Sequence, residues 1–170
     1  MAILPIRVYP DPVLREQAKP VEKITPDVQR LIDDMAETMY AAPGVGLAAN
    51  QVGILSRIFT IDIAPENGPS DLHVFINPEI IHKDGEIAWK EGCLSFPGVS
   101  EDIERAAKVR VRALNRDGQV FEMEAEGLMA VVIQHESEHL DGKLLLDRLG
   151  PVRRQIVRRR LRKRNTRGSR

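Results

Sequence analysis

Five consecutive residues limit what this chain can become more than any others: His135-Glu136-Ser137-Glu138-His139. On an α-helix, residues four apart lie on the same face, one turn above the other. Two imidazoles held that way can grip one metal ion. Glu136 then sits beside the metal, where a general base is useful. The bland alternative is a polar helix with two surface histidines.

Two histidines leave a divalent ion short of its usual shell. A catalytic site typically takes three protein ligands and keeps one place open. No histidine follows His139, and the acids after it are only Asp141 and Asp147, too near in sequence to come from a separate helix. The remaining candidate is Cys93, the only cysteine, set in Glu91-Gly92-Cys93-Leu94-Ser95. A lone cysteine is ordinarily a small buried hydrophobe. Beside such a helix it reads instead as a thiolate ligand, which would bind these metals strongly and lose its proton on doing so.

A His₂Cys site with an open position makes hydroxide available near neutral pH. Glu136 would take the proton of water and pass it to the leaving group. The chemistry is attack on a carbonyl, as in amide or ester hydrolysis. The oxyanion then needs donors. The Gln51 amide and the Leu94 main-chain N–H are candidates.

The rest of the chain reads as alternating short elements. Thr25-Pro26-Asp27 opens a helix, with Thr25 as N-cap and Pro26 at the first helical position. Val28, Leu31, Ile32, Met35 and Met39 give it an apolar face that should end near Pro43-Gly44. Gly44 to Gln51 reads as a small-residue loop. Arg57–Ile63 and Leu72–Ile76 read as strands. Glu79–Lys90 reads as two extended pieces around an Asp84-Gly85 hairpin turn. Lys108–Leu114 and Gln119–Ala125 read as a second hairpin. Leu128–Leu140 reads as a largely buried helix ended by Asp141-Gly142. Pro151 should open a last, arginine-rich helix with Val152, Ile156 and Leu161 roughly on one side. Antiparallel strands and hairpins around one buried metal-binding helix, with a basic C-terminal helix, define an α+β fold.

Charge divides the chain unevenly. Residues 151–170 hold 10 basic residues and no acid, and residues 1–150 hold 15 basic against 25 acidic. The expected division is a catalytic unit over 1–150 and a basic helix or tail over 151–170. A dense cationic segment attracts polyanions by releasing counterions, so nucleic acid is one candidate partner and a merely solvated end the other reading. One cysteine excludes an internal disulfide, no run suits a bilayer crossing, and no secretory signal opens the chain; the expected location is the cytoplasm.

Three segments, in order, resemble the signature motifs of the bacterial peptide deformylases: Gly44-Val45-Gly46-Leu47-Ala48-Ala49-Asn50-Gln51, Glu91-Gly92-Cys93-Leu94-Ser95, and Gln134 to Gly142 around the histidine pair. The likeness runs from about Ile6 to Leu149. It implies removal of the N-formyl group from the initiator methionine of nascent chains, with release of formate. By this resemblance Cys93, His135 and His139 hold the metal, and Glu136 is the acid–base residue. Gln51 and Leu94 N–H bind the oxyanion. Val45, Trp89, Leu128, Val131 and Val132 line a methionine pocket, and the Gly46 backbone pairs with the substrate. Glu91, Arg105 and Glu138 support the ligands from behind. The implied metal is Fe2+, which Zn2+, Ni2+ or Co2+ can replace. The implied partners are N-formylmethionyl peptides and, through residues 151–170, ribosomal RNA.

Two positions depart from the family pattern. Glu138 stands where aspartate is usual, with Arg105 as its expected partner, and Pro43 stands where an acid is common. Two rival readings remain. A small zinc peptidase would need a third His or Glu ligand. An RNA-binding module with a structural metal would need four protein ligands, and His73 and His82 read as surface or edge residues instead.

Overall fold

The computed structural model describes residues 2–64 and 67–168; Pro65 and Glu66, between the first two expected strands, and the last two residues of the basic segment lie outside the described residues. The first helix, α1, spans Pro26–Ala41, with the Thr25 hydroxyl accepting from Val28 N. Ile32, Met35 and Met39 are fully buried, so its methionines are core. The expected glycine-rich loop is instead a short strand, β1 (Gly46–Ala48), followed by a 3-10 turn at Ala49–Val52. Its small side chains let it serve as an edge strand close to a helix. β2 (Ile58–Ile61) pairs antiparallel with β1 on one side.

β3 (His73–Asp84) is longer than expected, joining the Leu72–Ile76 strand to the first extended piece of Glu79–Lys90, with shifts in its pairing to the neighbouring strand after Ile76 and after Ile80. β4 (Ile87–Cys93) and β5 (Phe96–Arg105) form a separate two-stranded sheet. The Asp84-Gly85 turn is therefore not a hairpin. β3 pairs with β2 and with β6 (Lys108–Leu114), while β4 pairs only with β5, so the chain changes sheets at that turn. β7 (Val120–Glu126) closes the larger sheet through the expected Asn115–Gly118 hairpin, in the order β1-β2-β3-β6-β7.

α2 (Leu128–Leu140) lies against that sheet, and Gly142 follows it at φ +73°, a conformation glycine tolerates. Ala130, Ile133 and Leu140 pack on Phe59, Phe75, Val111 and Ala125 in one apolar cluster. Gln134 fastens the helix to the β5–β6 turn: Ala106 N donates to its Oε1 at 3.0 Å, and its Nε2 donates to Ala106 O at 2.9 Å. This mixed fold of antiparallel sheets and helices is the α+β class expected.

α3 (Pro151–Gly168) packs on β5. Among its described side chains, Val157 and Leu161 are buried, in one cluster with Phe96, Val99 and Ile103. The expected apolar side is thus corrected: Leu161 is inside, but Val152 is 72 % exposed and Ile156 faces outward. With arginine on every side of this helix, the neighbouring strand, and not the helix's own periodicity, decides which face is covered.

Candidate metal and catalytic site

α2 presents one face to the sheet and the adjacent face to the β4–β5 hairpin. Residues 135 and 139, one turn apart, therefore meet Cys93 at the end of β4. Cys93 Sγ lies 3.3 Å from His139 Nε2, which lies 3.2 Å from His135 Nε2. All three donor atoms fall within 4.8 Å of one another. A soft sulfur and two ring nitrogens converging this way match the donor set of a transition metal.

The surroundings fix these groups. His135 Nδ1 donates to Glu91 Oε1 at 3.0 Å, leaving Nε2 to face the cluster. Burial disfavours a charged His135, but its hydrogen bonds to Cys93 and Glu91 outweigh this and hold the ring's pKa well above the ordinary value. The same anionic setting attracts a cation. His139 is pushed the other way, first by burial and then by the charges of His135 and Arg105, toward the neutral imidazole that ligates metals.

Glu91 is itself gripped by Arg105, whose Nε and Nη2 donate to the two carboxylate oxygens at 2.6 and 2.8 Å. Burial alone would raise the Glu91 pKa; the hydrogen bonds from His135 and Arg105 lower it below the ordinary carboxylate value. Arg105 Nη1 lies 3.0 Å from Glu138 Oε1, an ion pair by distance without the angle of a hydrogen bond. The longer acid at 138 thus still reaches Arg105. Arg148 also donates to Glu138, a partner that charge pattern alone did not indicate.

Glu136 is 3 % exposed and its Oε1 has no hydrogen-bond partner among the described residues. Burial pushes its pKa up to about 7, against the opposing pull of His135 and Arg105. Its carboxylate lies under β1. A Cβ at Gly46 would come within 2.5 Å of Glu136 Oε2 and 2.9 Å of Val132 Cγ1, so any side chain there would have to displace these two.

Gln51 is 1 % exposed and oriented at both ends. Ala48 N donates to its Oε1 at 3.0 Å, and its Nε2 donates to Ser95 Oγ at 3.1 Å while lying 3.5 Å from Cys93 Sγ. Ser95 is fully buried, and its part in aiming Gln51 was not apparent from sequence. Its place two residues after the cysteine, across a tight hairpin end, was the available signal.

A cavity of about 730 Å³ opens onto these groups. Its walls include Val45, Gly46, Trp89, Leu128, Val131 and Val132, with Gln51, Glu91, Cys93, Leu94, His135 and Glu136 around the polar end. Each residue expected to contact substrate therefore lines one cavity. His139, Arg105 and Glu138 stand behind its wall.

The polypeptide deformylase family model matches residues 3–155. A peptide deformylase of Alkalilimnicola ehrlichii is 55 % identical over 163 residues, covering 96 % of this chain and 91 % of the relative. The crystal structure of a peptide deformylase from Legionella pneumophila superposes with a TM-score of 0.93 at 46 % identity, covering 99 % of each chain. That of the Ehrlichia chaffeensis enzyme in complex with actinonin gives 0.91 at 34 % identity, covering 96 % of this chain and 98 % of its own. Matched over nearly its whole length in sequence and in fold, the chain belongs to the polypeptide deformylase family.

Proposed function

We infer that this protein is the working enzyme of that family, a metal-dependent deformylase that hydrolyses the formyl amide of N-formylmethionyl peptides and releases formate. The observation that carries the site assignment is the convergence of Cys93 Sγ, His135 Nε2 and His139 Nε2 beside the buried carboxyl of Glu136. These three residues hold the ion. The donor set suits Fe2+, our proposal for the native metal, and equally accepts Zn2+, Ni2+ or Co2+. When bound, the ion supplies Lewis acidity that makes water nucleophilic near neutral pH.

The chain's own groups carry the remaining work. Val45, Trp89, Leu128, Val131 and Val132 hold the methionine side chain. The Gly46 backbone aligns the peptide as an added strand at the β1 edge. Glu136 accepts the proton of the attacking water as its oxygen bonds to the formyl carbon. The Gln51 Nε2 and the Leu94 N–H donate to the carbonyl oxygen as it becomes negative. Glu136 then returns the proton to the departing amine as the C–N bond breaks, giving formate and a free N-terminus. Glu91, Arg105 and Glu138 hold His135 and α2 in place.

The test is anaerobic formate release from formyl-Met-Ala by the wild type and by Glu136→Ala. Activity in the first and near-total loss in the second, with metal retained, supports the mechanism; equal activity overturns it.

We further propose that residues 1–150 form the catalytic unit and that 151–170 add a basic helix that docks on ribosomal RNA in the cytoplasm. No helix among the described residues is long and apolar enough to cross a membrane. Arg159, Arg160 and Lys163 surround the outward groove formed with Val152, Gln155 and Ile156, a cationic surface suited to phosphates. Because Val157 and Leu161 are core residues, the clean test is charge reversal at 159, 160 and 163 and not deletion. Ribosome affinity at low salt should fall steeply; an unchanged affinity defeats the proposal.

A further inference from the structure

One residue of the cleft wall has a charged neighbour that lies outside the cavity lining itself. Pro97 and Gly98, at the start of β5, line the cleft, and Gly98 is exposed. Over Gly98 lies a guanidinium from α3. A Cβ at residue 98 would come within 2.9 Å of Arg164 Nη1, so the absence of a side chain there leaves room for this arginine. Arg164 is itself exposed, and no carboxylate among the described residues pairs with it. Its place is set by burial nearby: Leu161, three residues earlier, is 2 % exposed against Phe96 and Val99, and Arg153 pairs with Glu101 of β5.

Among the described residues, the exposed charge in the cleft wall itself is also positive. Lys90 lines the cavity and forms no ion pair among the described residues. The two acids in the wall face inward: Glu91 is neutralised by Arg105, and Glu136 is buried. A peptide whose formyl end lies at Cys93 and whose methionine fills the apolar pocket, if it leaves past Lys90 and Gly98, passes these unpaired cationic groups.

Resting on the deformylase reading above, we propose that Arg164 is a specificity determinant that favours substrates carrying a carboxylate shortly after the methionine. Helix α3 thus contributes to peptide selection at the cleft as well as presenting charge outward. The contact is solvent-exposed, so it changes selectivity modestly and is weakened by salt.

The experiment compares kcat/KM for amidated formyl-Met-Ala-Asp and formyl-Met-Ala-Lys. At low salt the wild type should prefer the acidic peptide by about two- to five-fold, the range of an exposed charge contact. Arg164→Ala should bring the ratio close to one, and R164E should invert it. Arg158→Ala, which removes an equal charge from another face of α3, should keep the wild-type ratio. A ratio identical in wild type, R164A and R164E overturns the proposal, as does an equal loss in R158A, which would show only net charge at work. Formate release from amidated formyl-Met-Ala by the wild type reports separately on the deformylase reading; failure there sinks that reading and not merely the role of Arg164.

Discussion

Arg105 and Glu91 meet in a two-pronged ion pair at 2.6 and 2.8 Å, with the arginine side chain fully buried and the glutamate 5 % exposed. The same carboxylate receives His135 Nδ1, so one buried acid ties the β4–β5 hairpin to the histidine helix. Removing one member of a buried pair leaves an uncompensated charge in a poor solvent. Glu91→Ala should therefore cost about 3–5 kcal/mol of stability and weaken metal binding about 10- to 100-fold. Denaturant unfolding and metal titration measure the two; a loss under about 1 kcal/mol would show that Arg105 finds water or another partner.

Glu138 joins α2 to Arg105 and Arg148 through one oxygen. Glu138→Ala leaves Arg105 with Glu91 alone and should lower both melting temperature and metal retention. Glu138→Asp is shorter and should loosen the half-exposed Arg148 contact first, with a cost under about 1 kcal/mol. Unchanged melting and metal content in the alanine variant would remove Glu138 from the supporting set.

Activity should fall as pH drops through the Glu136 ionisation, because only the carboxylate accepts the water's proton. Burial sets that group at about 7, and a cation held nearby moves the midpoint lower by favouring the charged form. A kcat/KM profile with no acid limb between about pH 5 and about pH 8 would contradict the assignment.

Stability of the metal-free protein should carry two opposite pH dependences. Glu136 has a folded pKa above its ordinary 4.5, so its contribution is present below about 4.5 and is lost as pH rises through about 7. Glu91 is lowered, so its contribution is present above 4.5 and is lost as pH falls through its folded value. Glu136→Gln should flatten the first dependence and leave the second. Urea unfolding across pH reads this, and a slope unaltered by the substitution would refute it.

Gly46 offers the test of close packing at the base. Gly46→Ala should leave the fold intact but push Glu136 and Val132 aside, lowering kcat by up to about 100-fold, as small displacements of reacting groups do. Full activity in this variant would mean that β1 yields without disturbing the carboxyl.

Much of this was legible in the sequence where local chemistry decides. α2 has its bounds marked by periodic apolar residues and a following glycine, and α1 by Thr25 and Pro26. Cys93, His135, His139 and Glu136 are read from residue type and spacing, whereas the pocket residues come only from the family resemblance. Pairing was less legible. Asp84-Gly85 states that the chain turns, not which strand its arms will join, and β3 and β4 entered different sheets. Small residues at 46–48 looked like loop because an edge strand pressed against a helix has no side chains to advertise it. Ser95 acts on Gln51, far away in sequence, with only its place near Cys93 as a local sign, and the Arg148 contact with Glu138 depends on how the chain folds back after α2.

Val157 and Leu161 are wedged against Phe96, and Phe96 is paired in register with Cys93. The outer helix and the sulfur of the site are thus two ends of one packed unit. Any coupling between the two ends is reciprocal by thermodynamic necessity. A polyanion that clasps the outer face of α3 would then steady the hairpin that bears the thiol, and a tight occupant of the cleft would sharpen the helix's grip on that polyanion.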